Sequence, residues 1–472
     1  MPNGVPMSWL RTSYDHPPLF VAEGAGARFR DVDGHEYSDF NIADMSMFAG
    51  YAPEPVVDAV SRCVARGTQF LLPNEDALWV AEGRGARFTD VDGFTYSDFN
   101  IADMSMFTGY APEPVVEAVS RRAAQGTQFM LPNEDSLWVA EELGRRYGLP
   151  KWQFTLSATH ANTEVIRIAR ALTGRDKVLF FDGKYHGHFD EALVHLQDGR
   201  VVPEEGGLPR DVTSKTKIVQ FNDPEGLRAS LEPRDVAIVI TEPAMTNNVG
   251  LLLPEPGFHD ALRSITRETG TLLAYDETHT HVVGPGGLTR TWSLQPDVVT
   301  IGKSIAGGVP LGAYGMTEAV ADILQRPDGK LDEKEVIATG GTLFGNPLSM
   351  AAARATLGAI LTDDAYIHTH VMGGRLADGI EKTIRDAGLP WITHRFWPRS
   401  GVTFAPAMPR NASEAFAAKD IPLTLLARVY LANRGVWEAI AGAGPTCSVP
   451  AADEDVDRYV GAFGSLVAEL TA

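Results

Sequence analysis

Cysteine is nearly missing from this chain: there are two in 472 residues, Cys63 and Cys447. Two thiols build neither a disulfide framework nor a cysteine-based metal site, which points to a reducing compartment, read here as the cytoplasm. No apolar run approaches the ~20 residues needed to span a bilayer. The stretch 1–20 carries Pro, Arg, Asp and His with no apolar core, so it does not read as a signal peptide. Basic residues are the minority, 41 Lys and Arg against 61 Asp and Glu, for a net charge of -20. Nucleic acid and anionic membranes are therefore not expected partners. The remainder, 44% hydrophobic and 22% charged, is ordinary globular composition at a length that predicts two or three domains.

What is present centres on the stretch from Thr271 to Lys303. Two short apolar runs, 272–275 and 298–301, read as buried parallel strands. The first ends in Asp276-Glu277 and the second in Gly302-Lys303-Ser304. Ligands of open α/β sheets sit beyond the carboxyl ends of strands, so Asp276 and Lys303 should face one crevice. A buried carboxylate and a buried amine each need a partner. A pyridine-aldehyde cofactor supplies both, with a protonated ring nitrogen for Asp276 and an aldehyde that condenses with the Lys303 amine.

Upstream, residues 21–79 and 80–138 are near copies, identical at 48 of 59 aligned positions. Each holds alternating strands about an Asp-Gly turn, a hairpin signal, and then a helix opened by Pro-Glu-Pro. Two copies are too few for a solenoid and too alike for an old one, which suggests a recent or engineered duplication. One core offers one slot for this unit. The expectation is that one copy fills it and the other is extruded, swapped or disordered, with the second copy favoured for the slot because it runs directly into the helix 134–148.

Strand, polar tip and helix recur from about 153 to 315, the pattern of a doubly wound sheet. Ser157-Ala158-Thr159 sits between a strand and the helix 162–172, where free backbone N–H groups and hydroxyls suit a phosphate. Tyr185-His186-Gly187-His188 follows the next strand. Its tyrosine could stack on a flat ring, and its histidines lack the carboxylate or cysteine company of a metal site, so no metal is expected. Glu242-Pro243 ends a third strand, with Asn247 beyond it able to bond a ring substituent. Gly340-Gly341-Thr342 makes another turn with free amides before an Ala-rich helix. Helix 373–387, strand-like pieces at 402–404 and near 435–437, and a helix over 453–470 complete the chain.

These motifs, in this order, resemble the class III (fold type I) pyridoxal-phosphate aminotransferases, and among them the group around glutamate-1-semialdehyde aminomutase. The residues that carry the resemblance are Asn3-Gly4-Val5, Asp90-Val-Asp-Gly93, Ser157-Ala-Thr159, Tyr185-His-Gly187, Glu242-Pro243, Asp276-Glu277, Gly302-Lys303 and Gly341-Thr-Leu-Phe-Gly-Asn-Pro347. The resemblance implies an α/β fold with a mostly parallel central sheet and helices on both faces. It implies a large cofactor-binding domain over 139–372 and a small domain made of 1–138 and 373–472. It implies pyridoxal 5'-phosphate joined to Lys303 as a Schiff base, with Asp276 on the pyridinium nitrogen and Tyr185 on the ring. Ser157, Ala158 and Thr159 would bind phosphate, Asn247 would lie near the ring hydroxyl, and His186, Glu242, Thr278 and Gly341 would border the cofactor. Thr342 would reach the phosphate of a neighbouring subunit, which implies a homodimer with shared active sites.

The pattern departs from the family at two places. His160 replaces the glutamate that usually follows the phosphate serine and threonine. Thr278-His279-Thr280-His281 replaces a Val-Met or Val-Gln followed by Thr-Gly, which puts the aminomutase's own substrate in question. The tentative substrate residues are Trp9, Arg11, His279 and Arg399, with Arg395, Phe396, Trp397 and Trp437 as further candidates, since an arginine can fork a carboxylate. The function expected first is transamination between an amine or a β- or ω-amino acid and a keto acid such as pyruvate. The alternatives are an intramolecular semialdehyde aminomutase and a duplicated, non-catalytic chain that acts as a binding protein.

Overall fold

A seven-stranded sheet sets the positions of the chain's reactive groups. In the computed structural model, which describes residues 1–8, 19–69, 78–324, 337–438 and 444–472, its strands run in the order Thr216–Val219, Lys177–Phe181, Val236–Thr241, Leu272–Asp276, Val298–Ile301, Gly312–Met316 and Lys151–Thr155. Neighbours among the first five pair in parallel, and Gly312–Met316 is antiparallel to both of its neighbours. Val236–Thr241 is buried at every position, as a strand covered on both faces by helices must be, and this is why it reads as an unbroken apolar run. The strands 272–276 and 298–301 are adjacent and parallel, as the sequence predicts.

Helix Ala158–Thr173 starts earlier than the expected 162–172, because Ser157 caps it by accepting from the His160 N–H. It covers one face of the sheet through Val165, Ile168 and Ala169. Helix Phe258–Thr269 covers the other face through Phe258, Leu262 and Ile265. Helix Glu134–Tyr147 is closed at its start by a reciprocal Asn133–Ser136 capping box and at its end by Gly148 at φ 76°. Helices Asp363–Asp386 and Asp453–Thr471 pack together beyond the sheet, with Leu376, Ile380, Tyr459 and Phe463 in one cluster. The first of these begins well before the predicted residue 373, since Thr362 provides its cap.

The two near-identical segments fold alike locally and land in different places. Strands Val80–Arg84, Arg87–Asp90 and Thr95–Asp98 of the second copy join Val436–Trp437 in one sheet. Their counterparts Val21–Ala25, Arg28–Asp31 and Glu36–Ser38 form a separate three-stranded sheet. Phe99, Met104 and Phe107 are at most 2% exposed, whereas the equivalent Phe40, Met45 and Phe48 are 96%, 69% and 81% exposed. The second copy is the one built into the central core. The first copy packs against the second: its helix Glu54–Val64 lies on the second copy's helix Glu113–Ala123, and Val64 enters the central cluster.

Candidate active site

One cavity of about 310 Å³ opens at the carboxyl ends of the central strands, and Ser157, Ala158, Thr159, Tyr185, His186, Glu242, Asp276, Thr278, His279 and Lys303 line it. The sequence order placed these residues at strand tips, and the parallel sheet gathers the tips into one crevice.

Lys303 follows the strand Val298–Ile301 with a left-handed backbone, φ 56°, an uncommon conformation for a residue with a side chain and one that clusters at functional sites. Its Nζ lies 2.5 Å from the Asp103 carboxylate and 2.5 Å from His279 Nε2. Burial pushes the Lys303 amine down from its ordinary range, and Asp103 opposes that shift. Burial, and then the charges of Lys303 and Arg399, hold His279 well below its ordinary range. A neutral imidazole can accept from the lysine, and Asp103 supplies the negative charge.

Asp276 is buried, and its carboxylate accepts from Asn162 Nδ2 at 2.9 Å, from the Thr278 backbone N–H at 3.0 Å and from His186 Nδ1 at 2.9 Å. Burial works against the charge on Asp276, but its bond to His186 and the further donors hold the carboxyl below its usual range. Thr300 Oγ1 fixes Asn162 in turn by donating to its Oδ1 at 2.7 Å. Glu242 behaves differently. Burial pushes it up to about 7 even though Thr246 donates to it through both its backbone N–H and its hydroxyl.

The opposite wall is the start of helix Ala158–Thr173. The loop 185–188 crosses it closely: Thr159 Oγ1 accepts from the His188 N–H at 3.4 Å. A Cβ on Gly187, at φ 113°, would stand 2.4 Å from that same oxygen, so only glycine lets the tyrosine loop pass.

The cavity suits a polar ring with a phosphate. Thr278 Oγ1, His186 Nε2 and Glu242 Oε1 are buried atoms on lining residues without a hydrogen-bond partner among the described residues. Buried polar atoms rarely stay unpaired, so a polar occupant fits there. A helix start with hydroxyls, a charged carboxylate and an amine all line it.

Other expected residues lie elsewhere. Asn247 is outside the lining, with its Nδ2 3.4 Å from His279 Nε2. Gly341 and Thr342 also stand away from this cavity, and Thr342 Oγ1 donates to Asp44 of the first copy at 3.3 Å. Arg399 is buried behind His279, with Nη1 3.3 Å from its Nδ1 and Nη2 donating to the Thr246 carbonyl at 3.2 Å. Arg395 instead pairs with Asp378 and Glu381 at the surface. Trp9 and Arg11 lie outside the described residues.

Two functional neighbours had no signal in the pattern of strand tips. Asn162 is one turn into the helix, where a polar residue looks like a solvated face. Asp103 belongs to the second copy and rides on four successive left-handed residues, Ile101 to Met104, at φ 47–73°. Such a run is unfavourable by about 1–2 kcal/mol per residue. The Asp98 carboxylate holds it by accepting from the Asn100 and Ile101 N–H groups, both at 2.8 Å, and from the Tyr110 hydroxyl at 2.5 Å. The first copy repeats the run at Ile42 to Met45, with Asp39 accepting from Asn41 and Ile42 at 2.8 Å.

The fold and the cavity together define a cofactor-dependent enzyme built on a mostly parallel sheet. A model of the aminotransferase class-III family matches residues 70–388, and the chain belongs to that family, whose cofactor is pyridoxal 5'-phosphate. A glutamate-1-semialdehyde 2,1-aminomutase of Desulfitobacterium hafniense is 35% identical over 325 residues, which is 67% of this chain and 74% of that protein. A glutamate-1-semialdehyde aminomutase from Pseudomonas aeruginosa PAO1, solved as a lysine-to-alanine variant in complex with PMP, is 40% identical. It superposes with a TM-score of 0.79 over 84% of this chain and 89% of its own. An omega-transaminase from Sphaerobacter thermophilus is 29% identical, with a TM-score of 0.76 over 92% of this chain and 100% of its own. Among the described residues no helix is long and apolar enough to cross a membrane.

Proposed function

We propose that this chain moves an amino group within one carboxylate-bearing substrate, in the manner named for the glutamate-1-semialdehyde 2,1-aminomutases it resembles. This reorders the two enzyme readings of the sequence: the intramolecular reaction comes first and transamination second. The observation that carries it is Arg399. Arg399 is 2% exposed, its Nε has no partner, and no carboxylate among the described residues pairs with it. Burial pulls Arg399 down to about 10, and Glu242 and Asp103 support its charge only from a distance. An unpaired buried cation is costly, and a substrate carboxylate entering past His279 supplies the missing partner.

The bound cofactor supplies an aldehyde for amines and a ring that takes up electrons when a Cα proton leaves. The chain's own residues do the rest. Ser157, Thr159 and the free N–H groups of the helix start bind the phosphate. Asp276, held charged by Asn162, His186 and the Thr278 N–H, keeps a proton on the ring nitrogen. Tyr185 flanks the ring. The Lys303 amine would carry a proton between carbon atoms of the bound substrate as base and acid, a role served by its lowered affinity for protons. His279 takes a hydrogen bond from Lys303 and separates it from Arg399. Thr278 and Glu242 are buried members of the lining, each with an oxygen free to meet a polar occupant.

Glutamate-1-semialdehyde alone, with no added acceptor, is expected to give 5-amino-4-oxopentanoate at a stoichiometry of one. Requirement for a second carbonyl compound, or alanine formed from amine plus pyruvate at a higher kcat/KM, would reverse the choice in favour of transamination. The His279 substitution and the likeness to an omega-transaminase favour that second reading. Borohydride reduction followed by peptide mapping should label Lys303 and leave Lys303→Ala unlabelled; a label on another lysine refutes the assignment.

A further inference from the structure

The duplicated segments touch each other reciprocally. The Gly24 N–H of the first copy donates to the Gln125 carbonyl of the second at 2.6 Å, and the Gly83 N–H of the second donates to the Arg66 carbonyl of the first at 2.8 Å. Gly24 and Gly83 are the same position of the unit, and so are Arg66 and Gln125. The side chains repeat the exchange: Thr68 Oγ1 lies 3.6 Å from Met106 Sδ, and Thr127 Oγ1 lies 3.8 Å from Met47 Sδ. The equivalent helices Glu54–Val64 and Glu113–Ala123 also pack on one another. Each hairpin thus closes on the tail of the other copy's helix, not on its own.

A contact in which i meets j and j meets i is the mark of an isologous interface between two identical bodies. Here both bodies lie in one chain. We propose that the first copy is an internal partner: it occupies the surface through which a second copy of this chain would dock, and it completes the cavity wall in cis.

The wall contact is specific. Thr68 Oγ1 donates to the Gly307 carbonyl at 2.9 Å, and Gln69 lines the cavity alongside Lys303 and Gly308. A Cβ on Gly308 would stand 2.3 Å from Thr68 Oγ1, so the sheet-side loop is shaped around the first copy's threonine. Gln128, the equivalent of Gln69, donates instead to the Thr342 carbonyl, on the side of the molecule where the first copy's Asp44 meets Thr342. The first copy therefore gives the cavity Gln69, set in place by Thr68, while the equivalent Gln128 of the second copy is buried beside Thr342.

Removing residues 21–79 takes the internal partner away and leaves one hairpin and one helix tail. The exposed surface then has only another chain to accept it. The shortened chain is expected to sediment as two chains. Gly83→Val tests whether it uses this contact, because a Cβ at the equivalent Gly24 would stand 2.5 Å from the Phe129 ring. In the shortened chain, Gly83→Val is expected to weaken dimerisation at least tenfold, with its circular dichroism spectrum and apoprotein melting cooperativity retained. In the full chain, hydrogen exchange should find peptides over 21–31 and 80–90 both protected, with Gly24→Val raising exchange in the first and in 124–132 together. A shortened chain that sediments as one chain, a dimer indifferent to Gly83→Val, or a peptide 21–31 that exchanges as open chain would each overturn the proposal. None of these readouts depends on which reaction the cavity performs.

Discussion

Identical residues in unlike surroundings give an internally controlled measurement. Phe48 and Phe107 occupy the same position of the repeated unit, but Phe107 is 0% exposed and Phe48 is 81% exposed. The Phe107 ring lies 6.3 Å from His281 and 6.2 Å from Tyr366, centroid to centroid, within the central cluster. Truncation to alanine there removes the transfer free energy of a ring and leaves a cavity, about 3–5 kcal/mol in all. The same truncation at Phe48 removes a ring already in water and should stay within about 0.5 kcal/mol. Since 1.4 kcal/mol is tenfold in an equilibrium, Phe107→Ala should raise the openable population by roughly a hundredfold or more. Native-state proteolysis, followed as the rate of loss of intact chain at low protease, reads that population when closing outpaces cleavage. Phe48→Ala should leave the rate within about threefold. Equal acceleration by the two substitutions, or a larger one from Phe48→Ala, would refute the assignment of the slot to the second copy.

Asn162→Ala removes a donor from buried Asp276 and should weaken retention of the cofactor by about 1.5–3 kcal/mol, measured as its dissociation constant by absorbance; an unchanged constant would separate Asn162 from the cofactor's charge. Asp103→Asn removes the carboxylate that raises Lys303 against burial, so the pH profile of cofactor uptake by the Lys303 amine should move toward acid, and no movement or an alkaline one would count against the pair. His259 is pulled down to about 4 by burial, with Nε2 against the Pro243 carbonyl and Nδ1 against the Tyr275 hydroxyl, both at 2.8 Å. Between about 4 and the ordinary 6.5 the unfolded chain holds the extra proton, so stability is full above 6.5 and falls as pH drops through that window. His259→Gln should flatten melting temperature against pH there, and a slope equal to the parent's would exclude His259 as a contributor.

The sheet was legible because each central strand is a buried run ending in a polar tip. Leu272–Asp276 and Val298–Ile301 show apolar blocks of strand length bounded by turn residues, and parallel packing forces their tips together. The helix starts at Ser157 and Thr362 were harder to place, since a cap depends on which backbone N–H the hydroxyl meets. Asp103 was illegible for a different reason. Its neighbour is Lys303, 200 positions away, and its own copy, Asp44, has an identical local sequence without that neighbour. Nothing in a repeated peptide says which repeat the core will choose. Residues that follow the second copy decide it, because Val436–Trp437 pairs with Thr95–Asp98. The crossed closure of the two hairpins was equally hidden, since either helix tail carries the same Gly-Thr-Gln-Phe.

The left-handed turn at Ile101 to Met104 recurs in the first copy with its last residue, Met45, and the nearby Phe48 in water. Its shape therefore does not come from being wedged under the lysine. Asp39 and Asp98 each gather the equivalent two amides and the equivalent tyrosine, so the bend is written into about a dozen consecutive residues and does not depend on the cavity that holds Lys303. A peptide cassette of that kind can be transplanted: set beside a lysine in another scaffold, it would bring a carboxylate at a fixed angle, with the cost of the unusual backbone already met by its own aspartate.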